Sequence, residues 1–103
     1  MKPLALIYIP TSNEQEAKKI SLHLLTKRLI ACVNVFPIQS MYRWEGKIAE
    51  ETEVVVIAKT LEKNLAKVTA EVKKIHSYKT PCILKIKAEG NEEYVQWVEK
   101  EIS

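Results

Sequence analysis

The chain has 103 residues, 47% of them hydrophobic and 28% charged, with a formal net charge of +3. That length allows one hydrophobic core and so one domain over residues 1–103, and the composition is globular rather than disordered. Acids and bases are mixed without a run of one sign, which excludes a charged nucleic-acid arm, and cysteines at 32 and 82 exclude a zinc knuckle or a CxxC redox pair.

In chain order, residues 3–9 predict a strand that is apolar on both faces and therefore central. The run Leu4–Ile9 is too short for a signal h-region or a membrane span, so the sequence reads as cytoplasmic with no membrane partner. Thr11 with Glu14 and Ser12 with Gln15 offer two overlapping capping boxes for a helix running to about Leu29. Ala17, Ile20, Leu24 and Leu25 fall on one stripe of it, while His23 reads as an exposed or half-exposed residue with no role.

The stretch from Cys32 to Lys59 reads as one long β-hairpin turning at Glu45-Gly46, where glycine supplies a positive φ. Each arm is roughly a dozen residues, or about 40 Å at strand rise, so the hairpin outreaches its own globule. A tip carrying Tyr42, Trp44 and Ile48 is then both an apolar patch and a pair of open edges, which predicts that other copies of the chain cover it. Pro37 falls where the alternation of the first arm changes phase, predicting an edge strand with a bulge there. A two-residue turn makes paired positions sum to 91, setting Ile38 opposite Glu53 and Cys32 opposite Lys59. The run Val54–Ala58 reads as a strand buried on both faces.

Thr60 can cap a second helix with the stripe Leu61, Leu65, Val68, Val72 and Ile75, stopping at His76. Ser77–Pro81 then reads as a loop. Cys82, Leu84, Ile86 and Ala88 alternate as a half-exposed strand, and Asn91 caps a last helix whose Tyr94, Val95, Val98 and Ile102 face the core. The order β-α-β-β-α-β plus a C-terminal helix, with two doubly apolar strands and two one-sided ones, predicts an α+β, ferredoxin-like sandwich of sheet order 4-1-3-2.

No nucleophile–base motif, phosphate-cradling glycine loop or HExxH is present, and glycine occurs only twice, so the chain reads as no enzyme. The third strand lacks the aromatic RNP1 pattern of RNA-binding sheets, so no nucleic-acid partner is expected. The polar residues that could converge are Cys32, Glu53, Lys59, His76 and Tyr78. A thiolate and an imidazole suit copper(I), copper(II) or zinc, and a carboxylate favours harder ions. The plainer alternative is that His76 caps the second helix and that Tyr42 and Trp44 are oligomer contacts.

Several blocks together resemble one known family. Ala31-Cys32-Val33-Asn34, Ser40-x-Tyr42-x-Trp44-Glu45-Gly46-Lys47-Ile48, Glu53, Lys59-Thr60, His76-x-Tyr78-x-x-Pro81 and Tyr94-x-x-Trp97 are similar to the CutA divalent-cation tolerance proteins, in order over nearly the full length. The resemblance implies a ferredoxin-like protomer, a homotrimer held by strand edges with Tyr42, Trp44 and Gly46 at the contacts, and a cytoplasmic link to tolerance of copper and other divalent cations. It implies no required cofactor. It places a metal ion or small anion near Cys32, Glu53, Lys59 and His76; Cys82, which departs from the family pattern, is a further candidate thiol if it and His76 point into one cleft. A likeness to trimeric PII signalling proteins implies, alternatively, a small anionic effector in an intersubunit cleft with Lys59 and Tyr78. Two positions depart from the family pattern: Pro10-Thr11-Ser12 replaces Thr-x-Pro, and Cys82 replaces the glutamate that usually follows the loop proline.

Overall fold

The computed structural model describes residues 1–103. Strand β1 (Lys2–Thr11) leads into helix α1 (Glu14–Thr26), the hairpin strands β2 (Cys32–Trp44) and β3 (Lys47–Thr60), helix α2 (Leu65–Ile75), strand β4 (Leu84–Gly90) and helix α3 (Glu92–Glu101). The sheet order is β2-β3-β1-β4 with every pair antiparallel, which is the expected 4-1-3-2 arrangement in an α+β fold.

The hairpin register is unbroken from Cys32 opposite Lys59 to Trp44 opposite Lys47, so the expected sum of 91 holds throughout. Glu45 and Gly46 form the two-residue turn, with φ of 50° and 79°. Positive φ at both central positions gives the type I′ geometry, whose twist matches that of the strands. The expected bulge at Pro37 is absent, since Pro37 pairs with Val54 in the continuous ladder. A proline on an edge strand loses no ladder bond when its nitrogen faces the open side.

One sheet face packs on α1 and α2. Ile7 and Ile9 of β1, Val56 of β3, Ile20 and Leu24 of α1, and Val68 and Val72 of α2 are fully excluded from solvent and form the core. Their spacing, two along the strands and three or four along the helices, is why these segments fold this way. Burying each such side chain stabilises the fold by about 1.5–3 kcal/mol. The other face carries Tyr42, Trp44 and Phe36 of β2 and Leu84 and Ile86 of β4, all exposed.

Four local expectations are corrected. The helix α1 cap is Asn13, whose side chain accepts from the Glu16 backbone, in place of the Thr11 and Ser12 boxes. Thr11 is instead buried and donates to the Val54 carbonyl. Helix α1 ends at Thr26 rather than Leu29, because Arg28 turns left-handed at φ 57°. Thr60 stays in β3 and donates to the Leu29 carbonyl at 2.7 Å, with Asn64 donating to the same oxygen, so a short 3-10 turn over Glu62–Asn64 precedes α2. Strand β4 starts at Leu84, leaving Cys82 in the preceding loop.

His23 joins the two helices. Its Nε2 lies 2.8 Å from Glu71, which Lys74 and Lys27 also approach, and these partners bring the Glu71 carboxyl from 4.5 to about 2, Lys74 contributing most.

Candidate functional site

The middle of β3 and the loop after α2 enclose a cleft of about 530 Å³. The hairpin register decides what faces it. Partners across an antiparallel pair share a face, so Tyr42 and Trp44 of β2 stand on the same side as Ala49, Glu51 and Glu53 of β3. The opposite wall is Pro10 at the end of β1, with Tyr78, Lys79, Thr80 and Cys82 from the loop.

The loop is held by His76. Its ring is fully buried, its Nε2 lies 2.8 Å from the Pro10 carbonyl, and its Nδ1 accepts from the Tyr78 backbone N–H at 3.1 Å. This pattern assigns the proton to Nε2 and leaves neither nitrogen with a lone pair for the cleft. Glu16 fixes the other side of the loop, accepting from the backbone N–H and hydroxyl of Ser12 and from the N–H of Ser77. Burial alone raises the Glu16 pKa, but these hydrogen bonds outweigh it and bring the carboxyl from 4.5 to about 2.

With the loop so placed, the Tyr78 hydroxyl donates to Glu53 at 2.7 Å and its ring packs on His76 at 4.7 Å. Tyr42 donates to Glu51 at 2.6 Å. Burial, then the Glu53 carboxylate, pushes the Tyr78 hydroxyl up. The same two causes raise the Cys82 thiol, and the Glu51 hydrogen bond raises Tyr42. Both phenols and the thiol are therefore neutral at pH 7.

Of the residues singled out by sequence, Glu53, Tyr78, Cys82, Tyr42 and Trp44 converge on this cleft, with His76 immediately behind it. Cys32 and Lys59 do not. They pair with each other six ladder positions from Glu53, about 20 Å along the strand. Lys59 instead places its ammonium 5.5 Å from the Tyr94 ring. Gly46 lies in the turn beyond the cleft. Sequence reasoning missed Glu51 and Lys79. The register alone points to Glu51, since it sits two residues from Glu53 on the same face, whereas nothing local marks Lys79. His/Cys/Asp/Glu side chains do not gather in a group of three or more that could hold a metal ion.

A four-stranded antiparallel sheet backed by two helices, with a carboxylate- and aromatic-lined cleft beside a long hairpin, defines a small ferredoxin-like α+β protein. Residues 5–101 match the CutA1 divalent ion tolerance protein family. The chain is 46% identical over 97 residues to the divalent-cation tolerance protein CutA of Archaeoglobus fulgidus, covering 93% of this chain and 95% of that one. It is 39% identical to the CutA protein of Thermotoga maritima, over 96% of this chain and 99% of the relative. Among solved structures, the Archaeoglobus fulgidus protein, described as a periplasmic divalent cation tolerance protein CutA, superposes with a TM-score of 0.95 at 44% identity, covering 97% and 99% of the two chains. CutA1 from Pyrococcus horikoshii superposes with a TM-score of 0.93 at 34% identity, covering 96% and 98%. The chain belongs to the CutA1 divalent ion tolerance family. No helix in it is long and apolar enough to cross a membrane.

Proposed function

We propose that this protein is a non-enzymatic homotrimer that binds copper or another divalent cation weakly, through Glu53 and Cys82. The observation that carries this reading is that a carboxylate from β3 and a thiol from the loop line one cleft although 29 residues separate them in sequence. The donor set fits a copper ion, which accepts sulfur and oxygen ligands, and two protein donors make for modest affinity. His76 acts here as a positioning residue behind the loop. Cys82 ligates as its thiolate, so its raised thiol makes the ion compete with a proton and keeps the affinity modest.

Copies of the chain complete the assembly. The outer sheet face exposes Trp44 to 60% and Leu84 to 51%, and β2 offers a free edge of 13 residues, a combination that association removes from water. We place the protein in the cytoplasm, where its two free thiols stay reduced.

Copper titration followed by calorimetry tests the ion site. Wild type binds, Glu53→Gln and Cys82→Ser each weaken binding, and Cys32→Ser leaves it unchanged; equal binding by wild type and Cys82→Ser removes the site. Ion binding must release the Cys82 proton, so affinity rises with pH. Light scattering reports the assembly: three copies in wild type, and a lower melting point or released monomer for Trp44→Ala. A monomeric wild type refutes the trimer.

A further inference from the structure

Acids and bases alternate along the sequence, but the fold gathers bases at one place, the groove between α1 and α2. The groove holds about 360 Å³ and is lined by Lys27, Leu29, Lys67, Ala70 and Glu71. On α1, Lys19 and His23 lie at four-residue steps before Lys27, so all three share one side of the helix. On α2, Lys74 follows Glu71 by one turn. Glu71 is the one acid among the lining residues.

That carboxylate is already fully engaged. Its Oε1 lies 2.8 Å from His23 Nε2 and 3.3 Å from Lys27 Nζ, and its Oε2 accepts from Lys74 Nζ at 2.8 Å, with the side chain only 14% exposed. Glu71 therefore braces two lysines from different helices. An ammonium has three donors, so Lys27 and Lys74 keep N–H groups for a further acceptor. Lys67, one turn before Glu71 on the same face of α2, enters no ion pair at all. Positive charges gathered around a single carboxylate repel one another, and an anion placed among them relieves that repulsion.

The walls and the surroundings narrow the ligand. Leu29 and Ala70 are the only apolar residues lining the groove, too little to hold a large apolar body. Each lysine contact is weak where water reaches it, so an anion must carry several charges to collect a useful total. Lysine ammoniums suit phosphate oxygens as point charges. The groove also stays open when copies associate. It lies in the helix layer over the central strands, on the face opposite Trp44 and Leu84 and away from the edge strands β2 and β4.

We propose that the groove between α1 and α2 binds a small multivalent anion of the diphosphate type, held by Lys27, Lys67 and Lys74, with Glu71 fixing two of these lysines in place. The site is separate from the copper reading and shares no residue with that cleft.

The test is calorimetry on the full chain in its native assembly, in metal-free buffer at about 0.1 M salt so that distant charges are screened. Inorganic pyrophosphate, adenosine diphosphate and acetate are the probes. Pyrophosphate is expected to bind saturably with one ion per chain, and acetate to give no binding heat. Lys27→Gln and Lys67→Gln each weaken pyrophosphate severalfold, and the two together weaken it about tenfold or more. Lys18→Gln removes the same charge from the other side of α1, where Lys18 lines the groove against β2, and changes binding by less than about twofold. Cys82→Ser leaves it unchanged. Pyrophosphate raises the melting point of wild type but not of the double lysine variant, and the same melts verify that each variant is folded. Pyrophosphate binding as tightly as the nucleotide assigns the free ion, tighter nucleotide binding assigns a diphosphate carried on a larger body, and either supports the site. Equal losses from Lys18→Gln and Lys67→Gln, a stoichiometry below one per chain such as a site shared between copies gives, or no saturable binding overturns the proposal.

Discussion

The hydroxyl of Tyr78 donates to Oε2 of Glu53 at 2.7 Å, tying the loop after α2 to the middle of β3 across 25 residues of sequence. This is the contact that closes the cleft. Because Glu53 is buried, removing its donor strands a carboxylate rather than deleting one neutral hydrogen bond.

Tyr78→Phe is therefore expected to destabilise the protein by about 1–3 kcal/mol, read from urea unfolding. Glu53→Gln in the same background recovers part of that loss, since an amide is cheaper to bury than a charge. Additive single and double variants, with no coupling between the two positions, contradict this account.

Glu16 sets an acid-side dependence. Its folded carboxyl sits at about 2 against 4.5 for the free group, so its stabilising contribution is complete above about pH 5 and disappears as the pH falls toward 2. At its full extent the effect is about 2–3 kcal/mol. Stability measured between pH 2 and 6 shows a slope that Glu16→Gln flattens, and the loop over residues 76–78 loses amide protection at the acid end of the wild-type profile. An unchanged slope in the variant assigns the acid sensitivity elsewhere.

The hairpin turn is sterically suboptimal at its first position. Glu45 holds φ 50°, a conformation costing most L-residues about 1 kcal/mol, while Gly46 at φ 79° pays nothing. Glu45→Asn should raise stability by about 0.5–1 kcal/mol, because asparagine tolerates this region best. Gly46→Ala should lower it by about 1 kcal/mol through the backbone alone, since a Cβ there meets nothing within 4 Å. Thermal melts of the two variants should move in opposite directions.

Much of the fold was legible in the sequence, and the legible parts share a cause. The stripe Val68, Val72 in α2 and the alternation of Ile7 and Ile9 in β1 announce buried faces because helix and strand periods project onto sequence directly. The turn at Glu45-Gly46 fixed the whole hairpin register, since a two-residue loop leaves no freedom in pairing. Capping was less legible. Thr11, Ser12 and Asn13 are all competent caps, and the contest was settled when β3 supplied the Val54 carbonyl for Thr11, leaving Asn13 to the helix. Thr60 likewise went to the Leu29 carbonyl, a partner 31 residues away.

The candidate site divides along the same line. Sequence by itself determined which residues share a sheet face: Tyr42, Trp44, Glu51 and Glu53 follow from strand alternation and one turn, as does the pairing of Cys32 with Lys59 away from them. Only the tertiary structure decided that Tyr78 and Cys82 join them. The path of their loop is set by His76 on the Pro10 carbonyl and Ser77 on Glu16, contacts spanning 66 and 61 residues, and no periodic pattern encodes where an irregular backbone finds its distant hydrogen-bond partners.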